Sequence, residues 1–152
     1  MKKIFSLLTV MMAFILLTGF TSGKDDLKEK VFVGEVDGME IELTYYYKGD
    51  QVLKQKTVNK LTYESLGVED EEGAREILDP ISETMQDTEG LKEKLDYKDD
   101  HVIETVELDF EKGDINELAE VANLETEGDL DEGISMKKSE EFLLEQGFKE
   151  KK

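Results

Sequence analysis

Nine residues, Met39 to Tyr47, alternate so regularly that they admit one secondary structure. Met39, Ile41, Leu43, Tyr45 and Tyr47 are apolar or aromatic, while Glu40, Glu42 and Thr44 between them are polar. A period of two puts the sets on opposite faces of a strand, one toward a core and one toward water. Asp37-Gly38 just upstream favours a two-residue hairpin, because both residues tolerate positive φ. With that loop, Val36 opposes Met39, Gly34 opposes Ile41 and Phe32 opposes Leu43, so two strands share one apolar face. Lys48-Gly49-Asp50 reads as a second turn and Val52 to Tyr63 as a third strand. A three-residue loop there sets Tyr45 against Leu53, Thr44 against Lys54 and Glu42 against Lys56, matching opposite charges on the wet face. A two-residue loop would turn Lys54 and Lys56 inward.

The period changes at Glu69. Ala74, Ile77, Leu78, Ile81 and Met85 fall on one helical stripe, giving a main helix over Glu69 to Gln86 that Gly90 ends. Pro80 lies inside it and should bend or split it near Leu78-Asp79, yet the stripe stays in phase on both sides. A kinked helix packed across the sheet is expected, with two abutting helices as the alternative. Leu91 to Lys98 and Val102 to Phe110 read as a second hairpin around Asp99-Asp100, with Tyr97 against Val102, Leu95 against Glu104 and Leu91 against Leu108. Glu93 and Glu104 are the exceptions on the apolar face of that pair. The Lys and Glu content of Leu91 to Lys98 also suits a short helix.

Asp114 with Glu117 resembles a capping box, and Ile115, Leu118, Ala119 and Ala122 give a short helix behind it. A last helix begins at Ser139 or just before, carries Phe142 and Leu143, and stops at Gly147, with Phe148 able to fold back. The expected fold is therefore α+β: an antiparallel sheet of about five strands, one long kinked helix (Glu69 to Gln86) and shorter C-terminal helices.

The amino terminus looks like an export signal. Met1-Lys2-Lys3 precedes an apolar run from Ile4 to Leu17, and small residues follow at Thr18-Gly19 and Thr21-Ser22-Gly23. The expected division is a signal peptide or lipoprotein leader over 1–23, a flexible tether over 24–30 and a single domain over 31–149. An uncleaved membrane anchor over Ile4 to Phe20 is the alternative. Leu17-Thr18-Gly19 is the kind of sequence that precedes a lipidated cysteine, but position 20 is Phe20 and the chain has no cysteine. The membrane, reached through the leader or a lipid anchor, is the first expected partner; a chain cut after Gly23 would be released.

Thirty-eight Asp and Glu stand against 19 Lys and Arg, a formal net charge of −19. Nucleic-acid binding, which rests on neutralising phosphates, is thereby disfavoured. No thiolate or disulfide chemistry is open to a chain without cysteine. His101 is the one histidine and sits beside a turn, without a visible catalytic partner. No nucleophile elbow and no cofactor motif appears outside the leader. Asp129, Asp131, Glu132 and Gly133 look faintly like a calcium loop, but Gly133 falls at the fifth position where an EF-hand needs the sixth. That loop motivates an alternative function, extracellular calcium or cation binding. In the run Tyr45-Tyr46-Tyr47 the middle ring must point away from the core, and Tyr46 beside Lys48 and Asp50 is the candidate interaction site for a protein or small-molecule ligand. The reading is a non-enzymatic binding module.

Four segments recur together in one known family: Thr44-Tyr45-Tyr46-Tyr47-Lys48-Gly49-Asp50, Leu78-Asp79-Pro80-Ile81-Ser82, Asp96-Tyr97-Lys98-Asp99-Asp100 and Gly133-Ile134-Ser135-Met136-Lys137-Lys138-Ser139. On these segments the chain, from about Val31 to Lys149, resembles the YehR-type family of small bacterial lipoproteins. The resemblance implies a compact α+β domain tethered by lipid outside the cytoplasmic membrane, and it implies no activity. Phe20 departs from the family pattern, which has the lipidated cysteine there.

Overall fold

The computed structural model of the protein describes residues 27–124 and 130–152. The leader reading, the first part of the tether and Asp129 lie outside the described residues. In chain order the elements are β1 (Lys28–Val36), β2 (Met39–Lys48), β3 (Gln51–Thr62), α1 (Glu71–Met85), β4 (Leu91–Tyr97), β5 (His101–Asp109), α2 (Ile115–Val121), a 3-10 turn (Leu130–Glu132), β6 (Ile134–Ser135), α3 (Met136–Glu145) and β7 (Lys149–Glu150). All strand pairings among the described residues are antiparallel, in the order β4-β5-β3-β2-β1-β7, with β6 on the start of β3.

The first hairpin has the register its turn dictates: Val36 faces Met39, Gly34 faces Ile41 and Phe32 faces Leu43. Asp37 and Gly38 take φ of 51° and 81°, the left-handed pair whose twist matches the strands. The β4–β5 register is also as expected, with Tyr97 on Val102, Leu95 on Glu104 and Leu91 on Leu108; β4 is a strand, not a helix.

The second hairpin differs from the expectation. Its loop is the two-residue Gly49-Asp50, with Lys48 on Gln51 and Tyr47 on Val52, and the register then shifts so that Tyr46 faces Lys54 and Thr44 faces Lys56. Leu53 is the extra residue of a β-bulge. A two-residue loop alone would have turned the lysines inward, and the bulge restores their parity. Lys56 consequently lies beside Glu107, not Glu42, while Glu42 takes Lys151.

The α+β expectation, with about five strands and a long kinked helix over Glu69 to Gln86, is corrected to a mostly-β fold: seven strands and three short helices among the described residues. β6 and β7 have two residues each, too short to show a period. α1 has 15 residues and runs unbroken through Pro80. The proline removes the bond to the Glu76 carbonyl, and both residues are on the exposed side, where water can take that carbonyl. Only Ala74 and Leu78 of the expected stripe are buried, whereas Ile77 and Ile81 are exposed. The cap positions agree with chemistry more closely than with the expected bounds. Asp70 caps α1 through Gly73 N–H, Asp114 caps α2 through Asn116 and Glu117 N–H, and Ser135 caps α3 through Lys138 N–H.

All three helices pack on one face of the sheet. That face carries Phe32, Leu43, Tyr45, Leu61, Leu91, Val102, Val106 and Leu108. Its apolar residues form three clusters. The first joins Phe32, Leu43, Tyr45 and Val52 to Met136 and Leu143 of α3 and to Phe148; the second joins Leu61, Tyr63 and Val102 to Ala74 and Leu78 of α1; the third joins Leu91, Val106 and Leu108 to Leu118 of α2. The opposite face is covered by no helix among the described residues. Down its centre run Lys54, Lys56 and Lys60 of β3, paired with Asp109, Glu107 and Glu40 on the flanking strands. The two pairs that reach water, Lys56–Glu107 and Lys60–Glu40, contribute little each, about 0–1 kcal/mol.

Candidate functional site

The three apolar clusters do not merge. Where they meet, at mid-sheet on the helix-covered face, β3 presents Gln55, Thr57 and Asn59, and β5 presents Glu104 directly opposite Asn59. Glu93 of β4 stands diagonally across from Glu104, in register with Val106. The strand alternation that buries Leu61 and Val102 one step along necessarily aims these polar residues the same way. The sequence pattern marked Glu93 and Glu104 as misfits on an apolar face; the fold shows that they are neighbours.

These side chains hold one another. Asn59 Nδ2 donates to Glu104 Oε2 at 2.7 Å, and Gln55 Nε2 donates to Thr57 Oγ1 at 3.3 Å. From α1 above, Ser82 donates its hydroxyl proton to Glu93, and Gln86 Nε2 donates to Ser82 Oγ at 3.3 Å. Partial burial holds the Glu93 carboxyl above its ordinary range; Ser82 opposes the shift and the negative Glu104 adds to it. Farther along the same seam, Tyr97 donates to Asp79 Oδ1 at 2.6 Å and lies 3.9 Å beneath the Arg75 guanidinium carbon. Polar contacts therefore fasten α1 over β4 where its apolar stripe does not.

Beside this seam is a pocket of about 110 Å³. Thr57, Asn59 and Glu104 supply its polar floor, and Met85, Val106, Leu108, Ala122 and Leu124 its apolar walls. Asn59 Oδ1 is buried there without a hydrogen-bond partner. Because Nδ2 must face the Glu104 carboxylate, the amide cannot turn over to relieve it. A larger and more open groove of about 490 Å³ lies at the end of the sheet between Tyr63, Val68 and the turn residues Asp99 and Asp100. Asp99 and Asp100 are exposed, so the groove does not concentrate their charge as the inner pocket does.

The residues nominated by the tyrosine run are placed differently from one another. Tyr46 is on the uncovered face, half-buried, its hydroxyl pushed up by burial and by the carboxylates of Glu29 and Glu107. Lys48 is exposed at the end of β2. Asp50 is turned toward α3, where its carboxylate accepts from Ser135 Oγ at 2.7 Å and from Lys137 N–H at 2.8 Å, and those bonds lower its pKa. His101 sits at the β4–β5 turn with Nδ1 2.5 Å from Asp100 Oδ1. In the acidic loop, Asp131 lies 3.5 Å from Asn116 Nδ2, and no group of three or more metal-ligating side chains is assembled among the described residues.

Comparison with known proteins bears out the resemblance. Residues 28–149 match the family described as "Protein of unknown function (DUF1307)". The chain is 41% identical over 142 residues to the uncharacterized lipoprotein Lin0239 of Listeria innocua, covering 93% of each, and 34% identical to the uncharacterized lipoprotein YehR of Escherichia coli, covering 100% of each. The NMR structure of E. coli YehR matches with a TM-score of 0.72 at 37% identity, over 84% of this chain and 93% of that one. A Streptococcus pneumoniae protein shares the fold at 18% identity, with a TM-score of 0.57 over 90% of this chain and 92% of that one. With residues 28–149 matched by the family and two lipoproteins 34% and 41% identical over nearly the whole chain, the chain belongs to the DUF1307 family.

Proposed function

We propose that the protein is a non-enzymatic binding module of the cell envelope, exported and held at the outer face of the cytoplasmic membrane, that receives its ligand in the pocket on the helix-covered face. The location draws on the names of the relatives, which are called lipoproteins, and on the signal-like amino terminus. The observation that carries the binding reading is the polar floor at the junction of three apolar clusters. Thr57, Asn59, Glu93 and Glu104 are half-buried, and a polar side chain held there gains little net stability over an apolar residue of the same shape. Carboxylates at mid-sheet are therefore a poor choice for stability and a good one for recognition. Ser82 and Asn59 hold those carboxylates as fixed acceptors, and the only histidine of the chain is away at a turn, which favours holding a ligand over transforming one.

The test is to replace Asn59 by Leu and Glu104 by Met together. The reading expects a thermal midpoint equal to or above that of the parent. A fall of many degrees would mean that the polar floor is there to hold the fold, and the reading would be withdrawn. Intact mass of the protein from membrane and soluble cell fractions tests the anchoring: membrane-bound chain supports it, and a wholly soluble chain starting near Lys24 overturns it.

A further inference from the structure

We propose that the pocket between the sheet and the α1–α2 side accepts a primary alkylammonium group, with the ammonium on Glu104 and Thr57 and a short alkyl stem along Met85, Val106 and Leu124. The inference rests on the binding reading above and names the ligand class of that same pocket. The floor offers acceptors: the Glu104 carboxylate, which Asn59 Nδ2 holds in place, and the Thr57 hydroxyl oxygen, which keeps a second lone pair beyond the one Gln55 uses. An ammonium brings donors and no acceptor, which suits a floor whose carboxylate and hydroxyl oxygen both accept.

Charge narrows the class further. Glu93 and Glu104 stand side by side under α1, and the whole chain carries −19, so the field at the pocket favours a cation. A divalent metal fits poorly, because the walls are thioether and alkyl carbon where calcium needs six to eight oxygens. Those same walls suit a hydrocarbon stem. Size sets the depth: a cavity of about 150 Å³ holds benzene, so 110 Å³ holds roughly four heavy atoms, the ammonium and about three carbons. Such a group ends a free aliphatic amine and also a lysine side chain, and the chemistry is shared.

The experiment is an amide-resolved NMR titration of the purified full chain at constant ionic strength. Three probes are used: n-propylammonium, its neutral isostere n-propanol, and N-acetyl-lysine methylamide. Saturable shifts centred on Thr57, Asn59, Glu104 and Val106 with propylammonium, absent with propanol, are expected. In Glu104→Gln the same titration should show affinity at least tenfold weaker while the amide spectrum stays dispersed. Tighter binding of the lysine amide than of propylammonium would identify a peptide side chain as the source, and weaker binding a free amine. Equal saturable shifts with propanol would overturn the ammonium assignment and leave the binding reading standing. Shifts that grow linearly and spread over exposed carboxylates overturn the assignment, because a solvated acidic surface is then sufficient. No saturable shift from any probe overturns the assignment and removes the pocket from the binding reading as well. The contrast between propylammonium and propanol is read on the unaltered chain, so the conclusion holds even if Glu104→Gln fails to fold.

Discussion

Replacing Gly34 by alanine should destabilise the protein through a single contact. A Cβ at this position would stand 2.6, 2.7 and 2.8 Å from Cδ1, Cγ and Cε1 of Phe148. Carbon atoms prefer about 3.5–4.0 Å, so the ring would have to retreat by about 1 Å. It has little room: Phe148 is 6% exposed, packs in the cluster of Phe32, Leu43 and Leu143, and its N–H is bonded to Leu143 O at 2.9 Å. Overpacking of this kind costs about 1–3 kcal/mol. Alanine in a strand also recovers about 0.5–1 kcal/mol relative to glycine, which leaves a net loss of up to about 2.5 kcal/mol. Phe148→Ala removes the ring and should cost about 3–5 kcal/mol by itself. In that background Gly34→Ala meets open space, and only its favourable part remains. The sign of one substitution therefore reverses with the state of the other, giving a coupling of about 1–3 kcal/mol. Urea unfolding of the four proteins, followed by far-ultraviolet circular dichroism, measures the cycle. Additivity within about 0.5 kcal/mol would refute the reasoning, since it would mean that the ring does not seat on Gly34.

Asp50→Ala should lower the urea midpoint and reduce amide protection across Met136–Glu145, because the carboxylate accepts from Ser135 and Lys137 at the start of α3. Those bonds hold the Asp50 carboxyl below its ordinary range, so its contribution is present above the unfolded-state pKa and is lost as pH falls through the lowered value; the difference between variant and parent should vanish in acid. Glu93 has the opposite sign. Its raised carboxyl pKa contributes stability below the ordinary value, and that contribution is lost as pH rises through the raised one. Glu93→Gln should flatten the decline in melting temperature between about pH 4.5 and neutrality, and an unchanged slope would count against the burial, aided by Glu104, that holds the Glu93 carboxyl up. Pro80→Ala should raise thermal stability by about 1–3 kcal/mol, because alanine supplies the missing helix bond and the site is exposed. No change on calorimetry would show that α1 bears no penalty there.

Local chemistry made several elements legible. Asp37-Gly38 carries its turn type in its own φ preferences, so the register of β1 on β2 follows from two residues. Asp114 declares its cap in the same way. The register beyond Gly49 was not legible, since a bulge at Leu53 restores the face parity that a longer loop would also give, and alternation alone cannot separate the two. The α1 stripe misled for a related reason. Periodicity says which side of a helix is apolar but not how much of it a partner covers, and Ile77 and Ile81 remain in water. The pocket was half legible. Glu93 and Glu104 stood out as misfits, but their pairing with Asn59 and Ser82 needed two strand registers and a helix position at once. Tyr46 drew notice because three tyrosines stand in a row, a local signal that says nothing about depth.

β1 begins at Lys28 and runs nine residues in continuous register with β2 while β7 takes its other edge. A pull on Leu27 along the strand axis loads the β1–β2 ladder in shear, so many hydrogen bonds share the force and must yield together. A pull across the axis would open the ladder one bond at a time from the Lys28–Tyr47 end. The domain is thus mechanically anisotropic: it resists tension along the β1 axis and peels under tension applied sideways.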